Sequence, residues 1–245
     1  MRNKIILLFI LIAVLVTVCL YPSDTSTNLN TTQNDTVLPV EAINDHTKSV
    51  IKIVHYMEGN NQSISKTASA VILHEDDNYY YAVTNYHVLI KEGFETTSID
   101  AVDYLGNTYQ GTRILLNQAQ EIISLAYDLG LIKFEKGNTD FIIPDVRVNT
   151  LTPTTLLTAV GYPNGIREIT TGYFTSQISL DKFAFQVIAH NVPIVNGYSG
   201  GALFDSNGKI VGINVSAVID INDLNIQSHA IPMAKVYEYL SLFNI

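Results

Sequence analysis

Ser199 is the residue whose surroundings point most directly to chemistry. It stands in the run Gly-Tyr-Ser-Gly-Gly at residues 197–201, and an apolar run follows at once. Glycine lacks a Cβ and lets a substrate or a second backbone approach closely. The pattern therefore favours a nucleophile on a tight turn. A hydroxyl is a weak nucleophile at neutral pH, so this interpretation requires a base and a group that orients the base.

Two upstream residues can supply those groups. His87 follows a β-prone aromatic run at residues 79–83, and Asp128 directly precedes an apolar run at residues 129–134. A histidine can accept the proton of the hydroxyl, and an acid can fix the tautomer of that histidine. The sequence thus predicts a catalytic triad of His87, Asp128 and Ser199.

Other titratable residues are weaker candidates. Asp100 and Asp103 are alternative orienting acids, but neither precedes an apolar strand as the first candidate does. His55 and His74 lie in or beside strand-like runs and are expected to be structural or surface histidines. His190 lies close in sequence to the serine turn, and no catalytic role is assigned to it.

The segments that carry these residues resemble the three signature blocks of chymotrypsin-fold serine proteases. The pair Thr-Asn that opens the histidine block is similar to the bacterial HtrA/Deg type. Three further runs agree in order with that family, and the resemblance covers roughly residues 45–245. The six matching runs lie at residues 84–88, 128–133, 159–163, 197–201, 208–214 and 229–232.

The resemblance implies a serine endopeptidase that works through an acyl-enzyme and needs no cofactor. It also implies an oxyanion hole formed by the backbone N–H groups of Gly197 and Ser199. Substrate binding would fall to Ile213, Asn214 and Val215, together with residues 193–196. None of these residues is acidic, so small or aliphatic side chains are expected before the cleaved bond, rather than Lys or Arg.

Two features depart from the HtrA pattern. Tyr198 precedes the nucleophile where that family usually has asparagine, and the sequence leaves no length after residue 245 for a PDZ domain. The expectation is therefore an HtrA-like protease domain without a PDZ domain. Two alternatives stay open: a catalytically weak module of the same fold that binds peptides or proteins, and a protease that cuts its own linker.

The strand-like runs fit the fold that the resemblance implies. That fold is all-β, with two six-stranded antiparallel barrels packed together, at about residues 45–140 and 145–232, and a C-terminal helix at residues 233–243. Short β-rich runs recur between Asn, Gly and Asp turns throughout this region. Asp-Ser-Asn-Gly at residues 205–208 predicts a hairpin turn.

The N-terminus predicts a membrane attachment. A basic head precedes an uninterrupted apolar run from Ile5 to Leu20, which is intermediate between a signal-peptide core and a spanning helix of about 20 residues. Residues 1–21 are interpreted as an uncleaved signal-anchor, with a cleaved signal peptide or lipidation at Cys19 as alternatives. Residues 22–44 are polar and are predicted to form a flexible linker. The protease domain would then lie outside the cytoplasm.

Composition excludes several classes of function. The chain of 245 residues carries a net charge of -9, whereas nucleic-acid binding requires a basic surface. Cys19 is the only cysteine, so no intramolecular disulfide can form. No spacing typical of a metal site occurs, and no metal is expected. The predicted partners are protein or peptide substrates and a membrane, and the oligomeric state is left open.

Overall fold

The computed structural model describes residues 45–114, 117–147, 150–219 and 225–245. The predicted signal-anchor and linker lie outside these residues. Within the described residues, no helix combines the length and the apolar character that crossing a membrane requires.

The first barrel closes six antiparallel strands in the order β1-β2-β3-β6-β5-β4. Alternate side chains of each strand point inward, and Ile51, Ile53, Ile72 and Ile132 belong to the buried cluster at its centre. Closure leaves no unpaired sheet edge. The strands are β1 (Val50–Gly59), β2 (Gln62–Glu75), β3 (Tyr79–Thr84), β4 (Glu95–Val102), β5 (Thr108–Arg113) and β6 (Gly130–Glu135).

The second barrel repeats this closure in the order β10-β11-β12-β9-β8-β7. The predicted hairpin turn joins β10 to β11, where the backbone N–H of Gly208 donates to Asp205 O and Gly208 has a φ of +72°. The strands are β7 (Leu156–Gly161), β8 (Glu168–Ser179), β9 (Gln186–His190), β10 (Ala202–Asp205), β11 (Ile210–Ile219) and β12 (Asn225–Pro232). The prediction of two six-stranded antiparallel barrels is confirmed.

A shared apolar cluster holds the two barrels together. It joins Val71 and Leu131 of the first barrel to Val160 and Phe204 of the second, and Val236 of a C-terminal helix packs into it. That helix, which we label α3 below, spans Met233–Leu240 and continues as a 3-10 turn at Ser241–Phe243. The predicted C-terminal helix is thus present, although its last residues are wound more tightly than an α-helix.

Among the described residues, two α-helices interrupt the strands of the first barrel: α1 (Tyr86–Leu89) and α2 (Gln118–Tyr127). The sequence reasoning did not predict α2. Asn117 caps it, because Asn117 Oδ1 accepts from the Gln120 backbone N–H while Gln120 Oε1 accepts from the Asn117 N–H. Ser124 Oγ donates to Tyr239 Oη at 3.0 Å. This bond places α2 against α3 (Met233–Leu240).

Candidate active site

His87 and Asp128 form the closest pair of the site. Nδ1 of His87 lies 2.8 Å from Oδ2 and 3.1 Å from Oδ1 of Asp128. The backbone N–H of His87 donates to the same Oδ1 at 3.0 Å. The carboxylate is buried, with 3% of its side chain exposed, whereas the imidazole is 46% exposed. One face of the histidine is therefore fixed and the other is open to a substrate.

The local chain explains why Asp128 reaches this position. It ends α2 in the left-handed conformation, with φ 51° and ψ 42°, a conformation that Asp tolerates better than most residues. Its carbonyl oxygen accepts from the Tyr86 backbone N–H at 3.1 Å and from Asn85 Nδ2 at 3.0 Å. Asn85, in the predicted histidine block, thus ties the histidine turn to the end of α2.

The electrostatics of Asp128 favour the charged carboxylate. Burial alone would raise the pKa of this carboxyl, but the hydrogen bonds from His87 and from Lys182 outweigh burial and leave the pKa below its ordinary value. An ionised carboxylate accepts hydrogen bonds only, so the proton on His87 is directed to Nδ1. The other ring nitrogen, Nε2, is then free to act as a base.

Ser199 lies on a turn that only glycines allow. Gly197 has a φ of +103° and Gly200 a φ of +81°. A Cβ on Gly200 would lie 2.2 Å from the backbone oxygen of Ser69. The Gly201 N–H donates to Tyr198 O at 2.8 Å and closes the turn. The glycines therefore bring the serine turn against the first barrel.

The backbone N–H groups of Gly197 and Ser199 remain available to a substrate. Neither of them donates a hydrogen bond to another group of the described residues. Neighbouring bonds orient this turn, since the Tyr198 N–H donates to Val195 O at 3.1 Å. Two such donors are what an oxyanion hole requires.

A pocket of about 440 Å³ opens beside these groups, and both His87 and Ser199 line it. Within the described part of the chain, no direct hydrogen bond joins Ser199 Oγ to His87 Nε2. Resting catalytic sites often shorten this contact only when substrate binds. The other lining residues are Ile194, Val195, Asn196, Val215, Ser216, Ala217 and Ile219.

The comparisons with known proteins agree with this geometry. The model of the family described as the trypsin-like peptidase domain matches residues 68–213, which is more than half of the chain. The chain belongs to this family. A comparison with curated proteins gives no significant match.

The solved structures add a likeness in fold. The structure of an HtrA-type protease, AlgW, with a tripeptide superposes with a TM-score of 0.63 at 21% sequence identity. The match covers 80% of this chain and only 60% of that one. At this identity the likeness shows the chymotrypsin fold alone. The family membership and the fold together support a serine protease.

The predicted substrate-binding residues of this trypsin-like peptidase occupy different places. Val215 lines the pocket, whereas the side chains of Ile213 and Asn214 are fully buried behind it. Asn214 O accepts from the Gly200 N–H at 3.0 Å, and the Asn214 N–H donates to Gly201 O at 2.8 Å. Asn214 therefore supports the serine turn from behind.

Ser69 on β2 is a residue that the sequence reasoning missed. Ser69 Oγ donates to Gly197 O at 2.7 Å and accepts from the Tyr162 N–H at 2.9 Å. Its backbone N–H donates to Ser199 O at 3.0 Å, and its carbonyl accepts from Thr84 Oγ1 at 2.7 Å. One buried serine of the first barrel thus fixes the serine turn of the second.

Two of the remaining candidates, His55 and Asp103, have structural partners. His55 Nδ1 lies 3.0 Å from Val88 O, and its Nε2 lies 2.8 Å from Thr96 Oγ1. The predicted structural role of His55 agrees with these contacts. Asp103, an alternative orienting acid, is buried and accepts from Thr139 Oγ1 at 2.7 Å.

Tyr198, the departure from the HtrA pattern, is 1% exposed and packs in the apolar cluster of the second barrel. Tyr198 is therefore a core residue of the second barrel. Packing of Tyr198 therefore adds to the hydrogen bonds that hold the turn.

Proposed function

We propose that this chain is a serine endopeptidase that hydrolyses peptide bonds through an acyl-enzyme. The observation that carries the proposal is the pairing of a buried carboxylate with Nδ1 of His87, in a pocket that also contains Ser199. Each group has the environment that its role requires. The carboxylate is held in its charged form, the imidazole is open on one face, and the serine lies on a glycine turn.

The proposed reaction follows from these environments. His87 Nε2 accepts the proton of Ser199 while Oγ attacks the carbonyl carbon, and Asp128 stabilises the positive imidazole that forms. The N–H groups of Gly197 and Ser199 bind the developing oxyanion, and each such donor contributes roughly 2.7–4 kcal/mol. His87 then returns the proton to the leaving amine, and water releases the acyl group by the reverse steps.

The lining of the pocket supports a small or aliphatic residue before the cleaved bond. Among its described residues, Ile194, Val215, Ala217 and Ile219 are apolar and none is acidic. An unpaired ammonium there would lose its hydration without gaining a counter-charge. We expect kcat/KM for peptides with Val at this position to exceed that for Lys by at least about 100-fold, roughly 2.7 kcal/mol. Equal rates for Val and Lys peptides would contradict this assignment.

The first test of activity is covalent labelling of residues 41–245 with a fluorophosphonate probe. Mass spectrometry should place the adduct on Ser199, and Ser199→Ala should abolish labelling and proteolysis without unfolding the domain. Ser63→Ala is the matched control, because Ser63 is exposed on β2. A folded domain that takes no label would favour the alternative of a peptide- or protein-binding module.

A second test addresses the orienting acid. Asp128→Asn keeps the shape of the side chain but removes the charge and offers the histidine a donor, which favours the wrong tautomer. We expect kcat to fall by about 10⁴-fold. Near-normal turnover of this variant would remove Asp128 from the mechanism.

We further propose that the N-terminal apolar run tethers the protease outside the cytoplasm, where it serves protein quality control. The basic head followed by residues 5–20 supports this placement. The full chain should remain in the membrane fraction after carbonate extraction, and Val14→Arg should release it. Cys19→Ser separates lipidation from a spanning helix, because only a lipidated protein would lose attachment through that change.

A further inference from the structure

The Asp128 carboxylate receives a second donor besides His87. Lys182 Nζ lies 2.6 Å from Oδ2, the same oxygen that His87 Nδ1 approaches at 2.8 Å. Lys182 lies in the loop between β8 and β9, in the second barrel. Its side chain is 54% exposed, while Asp128 is 3% exposed. An ammonium from one barrel therefore reaches a buried carboxylate of the other.

The loop that carries Lys182 is fixed on both sides of it. The Phe183 N–H donates to Leu180 O at 2.9 Å, and Phe183 is buried in the cluster shared by the barrels. Phe185 packs edge-on against Tyr127, with ring centroids 5.1 Å apart. Tyr127 directly precedes Asp128 in the chain. This packing brings the lysine to the carboxylate.

Lys182 has two opposite effects on the His87–Asp128 pair. A hydrogen bond from an ammonium restricts the rotation of the carboxylate and holds it in one orientation. The same positive charge also opposes a second positive charge nearby. Lys182 should therefore improve the alignment of Asp128 while weakening the stabilisation of a positive imidazole.

We infer that Lys182 is a positioning residue for the His87–Asp128 pair, and that removing its charge moves the lower pH limit of activity. The inference rests on the proposed serine-protease function. Lys182 orients the carboxylate that receives His87 Nδ1–H. Its charge, 2.6 Å from the carboxylate, also offsets part of the negative charge that faces the imidazole.

Charged and titratable groups from the other neighbouring elements must be considered with Lys182. Lys66 of β2 donates through Nζ to His87 O at 3.2 Å, so it is a further cation in contact with the histidine turn. Other titratable groups of the described residues lie around this region. They are His55 of β1, Tyr86 of α1, Arg113 of β5 and Glu121 of α2, Tyr127 of α2, and Lys235 and Glu238 of α3, which contact Tyr127.

The test compares three substitutions at one position. Lys182→Met removes both the charge and the donor, Lys182→Gln keeps a donor without the charge, and Lys182→Arg keeps both. Lys136→Met is the matched control, since Lys136 pairs with Glu75 at 2.7 Å on the first barrel. The measured quantity is the pH dependence of kcat/KM for one peptide, at low and at high salt.

We expect the acidic limb of kcat/KM to move to higher pH by roughly 0.5 unit in the Met and Gln variants. The Arg variant and the Lys136 control should keep the wild-type limb. The shift should shrink between about 0.02 and about 0.5 M NaCl, because Lys182 is half exposed and salt screens its charge. The plateau should be lowest in the Met variant, which loses the orienting bond.

An unmoved acidic limb in Lys182→Met, whatever its plateau, would overturn the inference. Absence of turnover in the wild-type domain would instead count against the proposed function. Failure of the inference can be distinguished from failure of the proposed function, because the low-field proton between His87 and Asp128 can be followed by NMR without turnover. Its pH dependence should show the same displacement in the Met and Gln variants, and an unchanged resonance would overturn the inference independently of activity.

Discussion

The buried His190 on β9 predicts a loss of stability in mild acid. Its side chain is fully buried inside the second barrel, and neither ring nitrogen makes a hydrogen bond of ordinary geometry. Burial, followed by the nearby His229, lowers the pKa of His190 from 6.5 to about 3. The folded protein therefore keeps this imidazole neutral at a pH where the unfolded chain protonates it.

The direction and size of the effect follow from proton linkage. Between pH 6.5 and about 3 the unfolded state binds one more proton at His190 than the folded state does. The free energy of unfolding is therefore highest above pH 6.5, the pKa of His190 in the unfolded chain, and it decreases as the pH falls through this window. With these two pKa values, the free energy of unfolding drops by about 2 kcal/mol at pH 5 and by about 3 kcal/mol at pH 4.

The assay is urea unfolding near pH 7.5 and pH 5 in a Ser199→Ala background, which prevents self-digestion. His190→Leu should reduce the pH-dependent loss by about 2 kcal/mol. The comparison is made within each protein, so any packing cost of leucine cancels. His74→Leu is the matched control, because His74 is only partly buried on β2. Equal losses in the wild type and in His190→Leu would refute the reasoning.

Three other predictions concern groups that hold the fold and the site. Ser69→Ala removes the acceptor of the buried Tyr162 N–H, and we expect a loss of about 1–3 kcal/mol in urea unfolding, together with a fall in kcat/KM that Ser69→Thr partly restores. Gly200→Ala places a methyl group 2.2 Å from a backbone oxygen and should lower the free energy of unfolding by more than about 3 kcal/mol. Gly106 has a similar φ of +91° with open space around it, so Gly106→Ala should lower the free energy of unfolding by only about 1 kcal/mol. Equal shifts in melting temperature for the two variants would count against the steric argument. Tyr239→Phe removes the bond to α2 and should lower stability by about 1 kcal/mol and slow turnover, whereas an unaltered melting temperature would show that α2 does not depend on this bond.

The strands were predictable because their signals are local. Short β-branched and aromatic runs, broken by Asn, Gly and Asp, lie where the barrels have their strands and turns. The helix α2 was missed although it carries a local signal. Asn117 and Gln120 have the spacing of a capping box. The helix is only 10 residues long, however, and it directly precedes β6, the apolar run by which Asp128 was selected.

The residues that complete the site could not be predicted in the same way. Ser69 contacts Gly197 across 128 positions of sequence, and Lys182 contacts Asp128 across 54. Such contacts depend on how two barrels and one loop pack, and neither residue stands in a motif. The triad candidates were accessible only because each lies in a recognisable block. Ile213 and Asn214 lie in such a block too, yet their side chains are buried behind the pocket.

The division of the site between two barrels has a consequence for the timing of synthesis. The proposed base and orienting acid belong to the first barrel and the proposed nucleophile to the second, while the helix that ends at Asp128 rests on α3 through Tyr239. A nascent chain that has emerged only as far as Ser199 therefore lacks the strands β10 to β12 and the helix that support the turn and the acid. The chain would be an inert precursor at every earlier stage, and surrounding proteins would be exposed to hydrolysis by the proposed triad only after α3 had docked.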